Sequence, residues 1–392
     1  MLNALIAHGG GPTSVINASL AGLVEECRRG GFATLYGALF GLNGVLGENW
    51  VDLLSQDSAL IRDISEAPGS ALGSSRRKLS SDDLEKILAI LRRRDIRCFF
   101  YTGGNGSMGT ALEIARAARG AGYELQVVGI PKTIDNDLCI TDHTPGYPST
   151  AHFFAVAARD IGEDNRSLPA PIEIVEVLGR NAGWVVAATC FARTDQDDAP
   201  HLIYFPERPV SLDRMATDVE RAYRRLGRVV IAVCEGQLDE DGRPFGADVD
   251  RAESTTHRLA SNLGHTLARL LTEKTGLRAR AEKPGLFGRS CGELVSRVDR
   301  EEAWACGRAA VEAARQSQSG VMVAIRRDSD QPYSSSTFLA PLDQVAGVER
   351  LLPSDWISTD ANDVAQGFVG YAAPLLPTVK NYPRLETTQE PA

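Results

Sequence analysis

The 392-residue chain exceeds the roughly 250–300 residues over which one hydrophobic core usually grows, so two packed lobes are predicted. With 43% hydrophobic and 24% charged residues, its composition is that of a soluble globular protein needing no disulfide or metal staples. The formal net charge of −9 argues against a general nucleic-acid or anionic-membrane binder; any phosphate ligand must be met by locally gathered cations and backbone N–H groups.

The chain opens on a buried strand, LNALIAH (2–8), then a glycine-rich turn and a helix whose apolar positions Ile16, Leu20, Leu23 and Cys27 fall at helical spacing and which Gly30 and Gly31 end. A second strand is expected over 33–39. A helix starting near Ser81 carries Asp82 and Asp83 in its first turn, an apolar stripe of Ile87, Leu88 and Leu91, and Arg92–Arg94 at its end. Strand 96–102 leads through GGNGS into a helix over 108–119, and strand 125–130 ends at PKTIDND. This alternation predicts an α/β architecture, doubly wound and Rossmann-like, with mainly parallel sheets. Beyond it, strands are expected over 171–179, 228–236 and 321–327, helices over 211–226, 253–274 and 299–317, and an acidic loop over 237–251. The residues after Tyr382 read as loosely ordered.

Seven cysteines without a CxxC pair, several inside apolar runs, fit reduced buried thiols and a cytoplasmic location. Six histidines show no metal-ligand spacing, and no apolar run approaches a membrane span. The first residues lack the basic region of a signal peptide.

Three loops carry candidate chemistry, each at the C-terminal end of a predicted strand, the edge where open α/β sheets bind ligands. The first is His8-Gly9-Gly10-Gly11-Pro12 and the second Gly103-Gly104-Asn105-Gly106-Ser107. Glycines at a helix N-terminus let backbone amides approach phosphate; the first loop alone reads more readily as a tight turn, but two such loops in one lobe are harder to dismiss and invite a polyphosphate laid across both. The third is Pro131-Lys132-Thr133-Ile134-Asp135-Asn136-Asp137. One carboxylate can take a proton from an attacking hydroxyl, the other can help place Mg²⁺, and the lysine can offset phosphoryl charge. Asx-turn chemistry is the structural alternative.

PKTIDND with an upstream GGNGS resembles the phosphofructokinase family. LGSSRRK (72–78) resembles its donor-side arginine loop, VEVLGRNAGW (175–184) its sugar loop, CEG (234–236) the source of a sugar-binding glutamate, and RAEKPGLFGRS (280–290) a segment with two phosphate-binding arginines. TDHTPGYPST (141–150) and NYPRLE (381–386) are similar to the longer, pyrophosphate-type members. The resemblance implies transfer of a phosphoryl group to the C1 hydroxyl of fructose 6-phosphate in glycolysis, with Mg²⁺. It implies a donor lobe over 1–145 and a sugar-phosphate lobe over 146–392, the chain crossing back near 285–345, and a homo-oligomer, dimer or tetramer.

Carried over by position, the resemblance makes Asp135 the general base, with Lys132, Thr133 and Arg180 on the moving phosphoryl group. Gly10, Gly11, Arg76, Arg77, Gly104, Asn105, Gly106 and Ser107 would hold the donor. Thr133, Asp135, Asp137, Leu178, Gly179, Arg180 and Glu235 would meet the sugar, with Arg280 and Arg289 on its 6-phosphate. Asn105 and Asp137 would lie at the metal. Three positions depart from the pattern: Asn105 replaces an aspartate common near the metal, Pro171 an arginine, and Leu286 a histidine.

For the donor, Lys132 resembles pyrophosphate-using members. Gly106 and Gly109, by contrast, stand where related loops carry aspartates. A carboxylate about 4 Å from a phosphate charge costs roughly 4 kcal/mol at an effective dielectric near 20. With both carboxylates missing, ATP is the expected donor and pyrophosphate the alternative. A catalytically silent regulatory paralogue is a further reading, opposed by both acids of TIDND. Lipid and NAD kinases share a GGDG-like loop but lack PKTIDND, and no GxGxxG of a dehydrogenase follows the first strand.

Overall fold

The computed structural model describes residues 1–168, 170–243, 245 and 262–385. In chain order the elements are β1 (Leu2–His8), α1 (Ile16–Arg28), β2 (Phe32–Ala38), α2 (Leu42–Gly47), β3 (Trp50–Asp52), α3 (Ser58–Glu66), α4 (Ser81–Arg93), β4 (Ile96–Gly103), α5 (Asn105–Gly120) and β5 (Gln126–Pro131). There follow α6 (Tyr147–Ser167), β6 (Ile172–Val177), α7 (Trp184–Ala188), β7 (Leu202–Tyr204), α8 (Leu212–Leu226), β8 (Val229–Cys234), α9 (Leu263–Thr275) and β9 (Ala279–Glu282). The chain closes with α10 (Arg297–Arg315), β10 (Val321–Asp330), β11 (Tyr333–Pro341), α11 (Leu342–Val345) and α12 (Gln366–Ala372).

Two sheets organise these elements, and both are mainly parallel. The first has order β11-β10-β5-β4-β1-β2-β3, with only the edge strands β3 and β11 antiparallel to their neighbours. The second, β7-β8-β6-β9, is parallel throughout. Burial on both faces explains the unbroken apolar run of β8 and the CFFY run of β4; β6 is buried throughout as well, taking Glu173 and Glu176 in with it. Leu23, Val24, Cys306 and Val311 of α1 and α10 cover one face of the first sheet; Leu91, Met108 and Ile114 of α4 and α5 cover the other.

The order places the ligand edge. The chain goes from β1 to β2 on one side, then returns to β4 on the other, so a crevice opens between the carboxyl ends of β1 and β4. Register sets the loops level: His8 pairs with Thr102, and Gly103 with Pro131. In the second sheet Val177 pairs with Cys234, setting the loop after β6 beside Glu235.

Sequence periodicity missed the 21-residue α6, whose N-terminus follows a proline-rich turn. That helix has no cap of its own. Asp299, buried on α10, accepts from the amides of Gly146 and Ser149 at 2.8 and 3.0 Å and caps it from outside. The segment expected to be helical before Asn262, the loop beyond Phe245 and the tail after Leu385 lie outside the described residues. No helix among the described residues is long and apolar enough to cross a membrane.

A buried ionic network ties α10 to the loop after β5. His143 is fully buried, with Nδ1 2.8 Å from Asp142 and Nε2 2.5 Å from Glu302. Glu302 also accepts from Tyr333 and Ser335 of β11, and Arg327 of β10 pairs with Asp142 at 2.9 Å. Burial by itself would lower the imidazole's pKa, but Glu302 and Asp142 outweigh it and hold His143 at about 9. The folded value therefore lies above the unfolded 6.5, so this contribution is complete below about 6.5 and lost as pH rises through about 9. Chemical denaturation between these pH values should show stability falling with rising pH, and His143→Gln should flatten that limb.

Candidate active site

The first loop is fixed from below. Gly9 N–H donates to Thr102 O at 2.8 Å, and Gly10 N–H to Ser75 O at 2.9 Å. Ser74 returns a hydrogen bond to Gly10 O at 2.7 Å, so the loop over 72–78 and the first loop move as one. The amide of Gly10 is thus committed to the protein. Gly11 faces the cleft: a Cβ there would collide with the guanidinium of Arg289. His8 is buried with Nδ1 2.8 Å from Ser70, and burial together with the nearby Lys132 pushes its pKa down to about 3, so it is neutral.

The second loop opens α5. Gly104 provides no side-chain cap, and while Ser107 N–H is taken by Gly104 O at 2.9 Å, the amides of Asn105 and Gly106 at the start of this 16-residue helix remain available to an anion. Ser107 is buried and its hydroxyl bonds Tyr101, filling the space beneath Gly9 and Gly103. Gly106 faces open space. Asn105 turns away: its Nδ2 donates to Val348 O at 2.7 Å, and its Oδ1 accepts from Gly347 N–H at 2.6 Å.

The third loop brings the charges. Lys132 is buried, and its Nζ donates to Gly11 O at 2.6 Å, joining the first and third loops. Burial lowers its pKa to about 8, with the field of Asp135 opposing that fall. Burial and then the charge of Asp137 raise Asp135 to about 7. Asn136 between the acids takes a left-handed φ of 54°, strained but held because its Oδ1 accepts from Thr144 N–H at 3.0 Å and its Nδ2 donates to Tyr371 Oη at 3.0 Å. Burial also raises Asp137, partly relieved by a hydrogen bond from Thr133.

The opposite wall comes from the second sheet. Arg180 reaches across with Nε 3.8 Å from Asp135 Oδ2. Glu235 Oε1 accepts from the amides of Gly179 and Arg180 at 3.4 and 3.3 Å, shaping that turn. Gly236 must be glycine here, since a Cβ would strike Arg180 O. Leu178 is buried beneath the turn. The charges of Arg76, Arg180, Asp135 and Glu235 all act on Arg289, and burial leads the lowering of its pKa.

Two candidates do not join this cluster. Arg77 forks onto Asp83 at 2.8 Å; Asp83 also completes the capping box of α4 with Ser80, so Arg77 serves the helix start. Arg280 lies beside Glu173 in strand register near the amino ends of β9 and β6, away from the carboxyl ends, and its buried Nε has no hydrogen-bond partner. For Mg²⁺, the buried Oδ1 of Asp137 has no hydrogen-bond partner and suits a hard cation. Asn105 is instead clasped to residues 347–348. Among the described residues no cluster of three or more acid, histidine or cysteine ligands occurs, so a metal here would lean on Asp137 and on substrate phosphates. Sequence reasoning missed Tyr371 and Arg350, which flank the acid loop; nothing in their sequence surroundings marks them.

The phosphofructokinase family matches residues 3–314. A pyrophosphate--fructose 6-phosphate 1-phosphotransferase from Rhodospirillum rubrum is 39% identical over 380 residues, covering 95% of this chain and 93% of that one. The protein of the same name from Halomonas elongata is 36% identical, covering 95% and 91%. The crystal structure of a pyrophosphate-dependent phosphofructokinase from Nitrosospira multiformis superposes with a TM-score of 0.88 at 32% identity, covering 99% of this chain and 94% of that one.

These similarities overturn the expectation of ATP as the favoured donor. The physical reason lies in what Gly106 can and cannot do. An open position removes an obstacle but supplies nothing that would hold an adenosine, whereas Lys132 is a buried cation fixed where the loops meet. The two groups of arginines separate by experiment. Arg289→Ala should weaken inorganic phosphate binding about tenfold or more in calorimetry. Arg77→Ala should leave phosphate binding within about twofold while lowering the thermal midpoint.

Proposed function

Because this chain belongs to the phosphofructokinase family, we propose that it transfers a phosphoryl group from pyrophosphate to the C1 hydroxyl of fructose 6-phosphate. The observation that carries this reading is the cleft itself. A carboxylate with raised proton affinity, Asp135, faces Arg180 at 3.8 Å across the gap between the two sheets, with Lys132 buried behind it.

Asp135 accepts the C1 hydroxyl proton, and its raised proton affinity suits that task near neutral pH. Arg180 and Lys132 balance charge on the transferring group from opposite sides. The open first turn of α5 and the Gly11 edge receive the donor phosphates, with Arg76 and Arg289 nearby. Bound Mg²⁺, held through Asp137, supplies further neutralisation of the phosphates. The turn at Gly179 and Arg180, shaped by Glu235, meets the sugar.

Purified protein with Mg²⁺ and fructose 6-phosphate should turn over with pyrophosphate and prefer it strongly to ATP; turnover with ATP alone rejects the donor assignment. Asp135→Asn should lower kcat by about 10²–10⁴-fold while calorimetry shows sugar-phosphate binding retained. Near-normal turnover in that variant rejects Asp135 as the base.

A further inference from the structure

We propose that Arg350 is a positioning residue for the acid loop, acting through a C-terminal strap that fixes Asp135 and Asp137 relative to the opposite wall of the cleft. The inference rests on the phosphotransfer reading above and concerns residues beyond 314, the end of the family match.

The strap spans 347–352 and touches each functional wall in turn. At its start, Gly347 and Val348 are clasped by Asn105 of the second loop. In its middle, Arg350 N–H donates to Asp137 O at 2.8 Å. The Arg350 guanidinium holds the carbonyls of Thr141 and Asp142, both at 2.6 Å, and reaches Tyr371 Oη at 3.2 Å. That same hydroxyl donates to Asp142 O at 2.8 Å and accepts from Asn136, the left-handed residue between the acids. On the far side the guanidinium stacks 4.4 Å over Trp184, and Trp184 Nε1 donates to Arg350 O at 3.0 Å. At the strap's end, Leu352 N–H shares Glu207 Oε1 with Gly183 N–H, near the end of the sugar loop.

Arg350 thus meets backbone carbonyls and an aromatic face, with no carboxylate partner among the described residues. A half-buried cation without an ion pair is a poor source of stability, while a planar guanidinium whose Nη1 holds both carbonyls and whose Nη2 reaches Tyr371 is a good source of geometry. Lysine keeps the charge and loses the second nitrogen on Tyr371 and the planar stack on Trp184, so it separates the two roles. Tyr371→Phe removes only the hydroxyl that joins Asn136 to Arg350.

The experiment measures kcat and KM with fructose 6-phosphate, Mg²⁺ and pyrophosphate, together with amide hydrogen exchange over residues 133–146, for wild type, Arg350→Lys and Tyr371→Phe. Displacement of about 1 Å at a reacting group costs on the order of 10²-fold in rate. The expected result is a loss of that order in kcat for Arg350→Lys, a smaller loss for Tyr371→Phe, KM for the sugar phosphate within about threefold, and faster exchange at Asp135 and Thr144 in both. Unaltered exchange overturns the proposal whatever the rates, and so does faster exchange with wild-type kcat or a loss confined to KM. Should Arg350→Lys fail to fold, Tyr371→Phe decides by the same criteria. If wild type shows no turnover with pyrophosphate, the functional reading fails, and the exchange comparison alone then decides the role of Arg350.

Discussion

Everything at this site depends on keeping charged groups of both signs together out of water. Lys132, Asp135 and Asp137 sit in one low-dielectric volume, with Arg180 closing over Asp135. Desolvation drives Lys132 down and both acids up, so the proton affinities of Lys132 and Asp135 approach one another near neutrality. Such a cluster is costly unless geometry is held tightly, because a small separation leaves a buried charge unpaired. The surrounding fold supplies that geometry.

Sheet register does the first part. The carboxyl ends of β1, β4 and β5 are level, so three loops open on one crevice, and the loop after β6 faces them from the second sheet. Helix α10 does the second part. Its Asp299 caps α6, and its Glu302 anchors His143, so the segment after the acid loop is pinned at two points. The C-terminal chain does the third, since β10 and β11 extend the first sheet and the residues after them return along the cleft.

The parts legible in the sequence were local. Alternating apolar runs and amphipathic segments placed the main strands of both sheets, and the glycine loops and the TIDND acids meet where their positions after those strands implied. Short edge strands such as β3 and β9 escaped because three or four residues carry no period. Helix α6 escaped because its start is capped by a residue 150 positions or so later, a signal no local window contains. Arg77 shows the limit of motif position: a basic residue in the right segment can be claimed by a neighbouring carboxylate, here Asp83. The donor shows another limit. The missing carboxylate at Gly106 points to a nucleotide only if a vacancy is taken for a binding feature, and a vacancy tolerates a ligand without binding it.

Titration of the one group on which the cleft's charge balance turns tests this account most directly. Carbon-13 spectra of protein labelled at its aspartate carboxyls, compared with Asp135→Asn, identify the resonance of Asp135. The account requires it to titrate at about 7, well above the ordinary 3.8. A value near 3.8 would mean that Asp135 stands in water, and the desolvated cleft described here would be wrong.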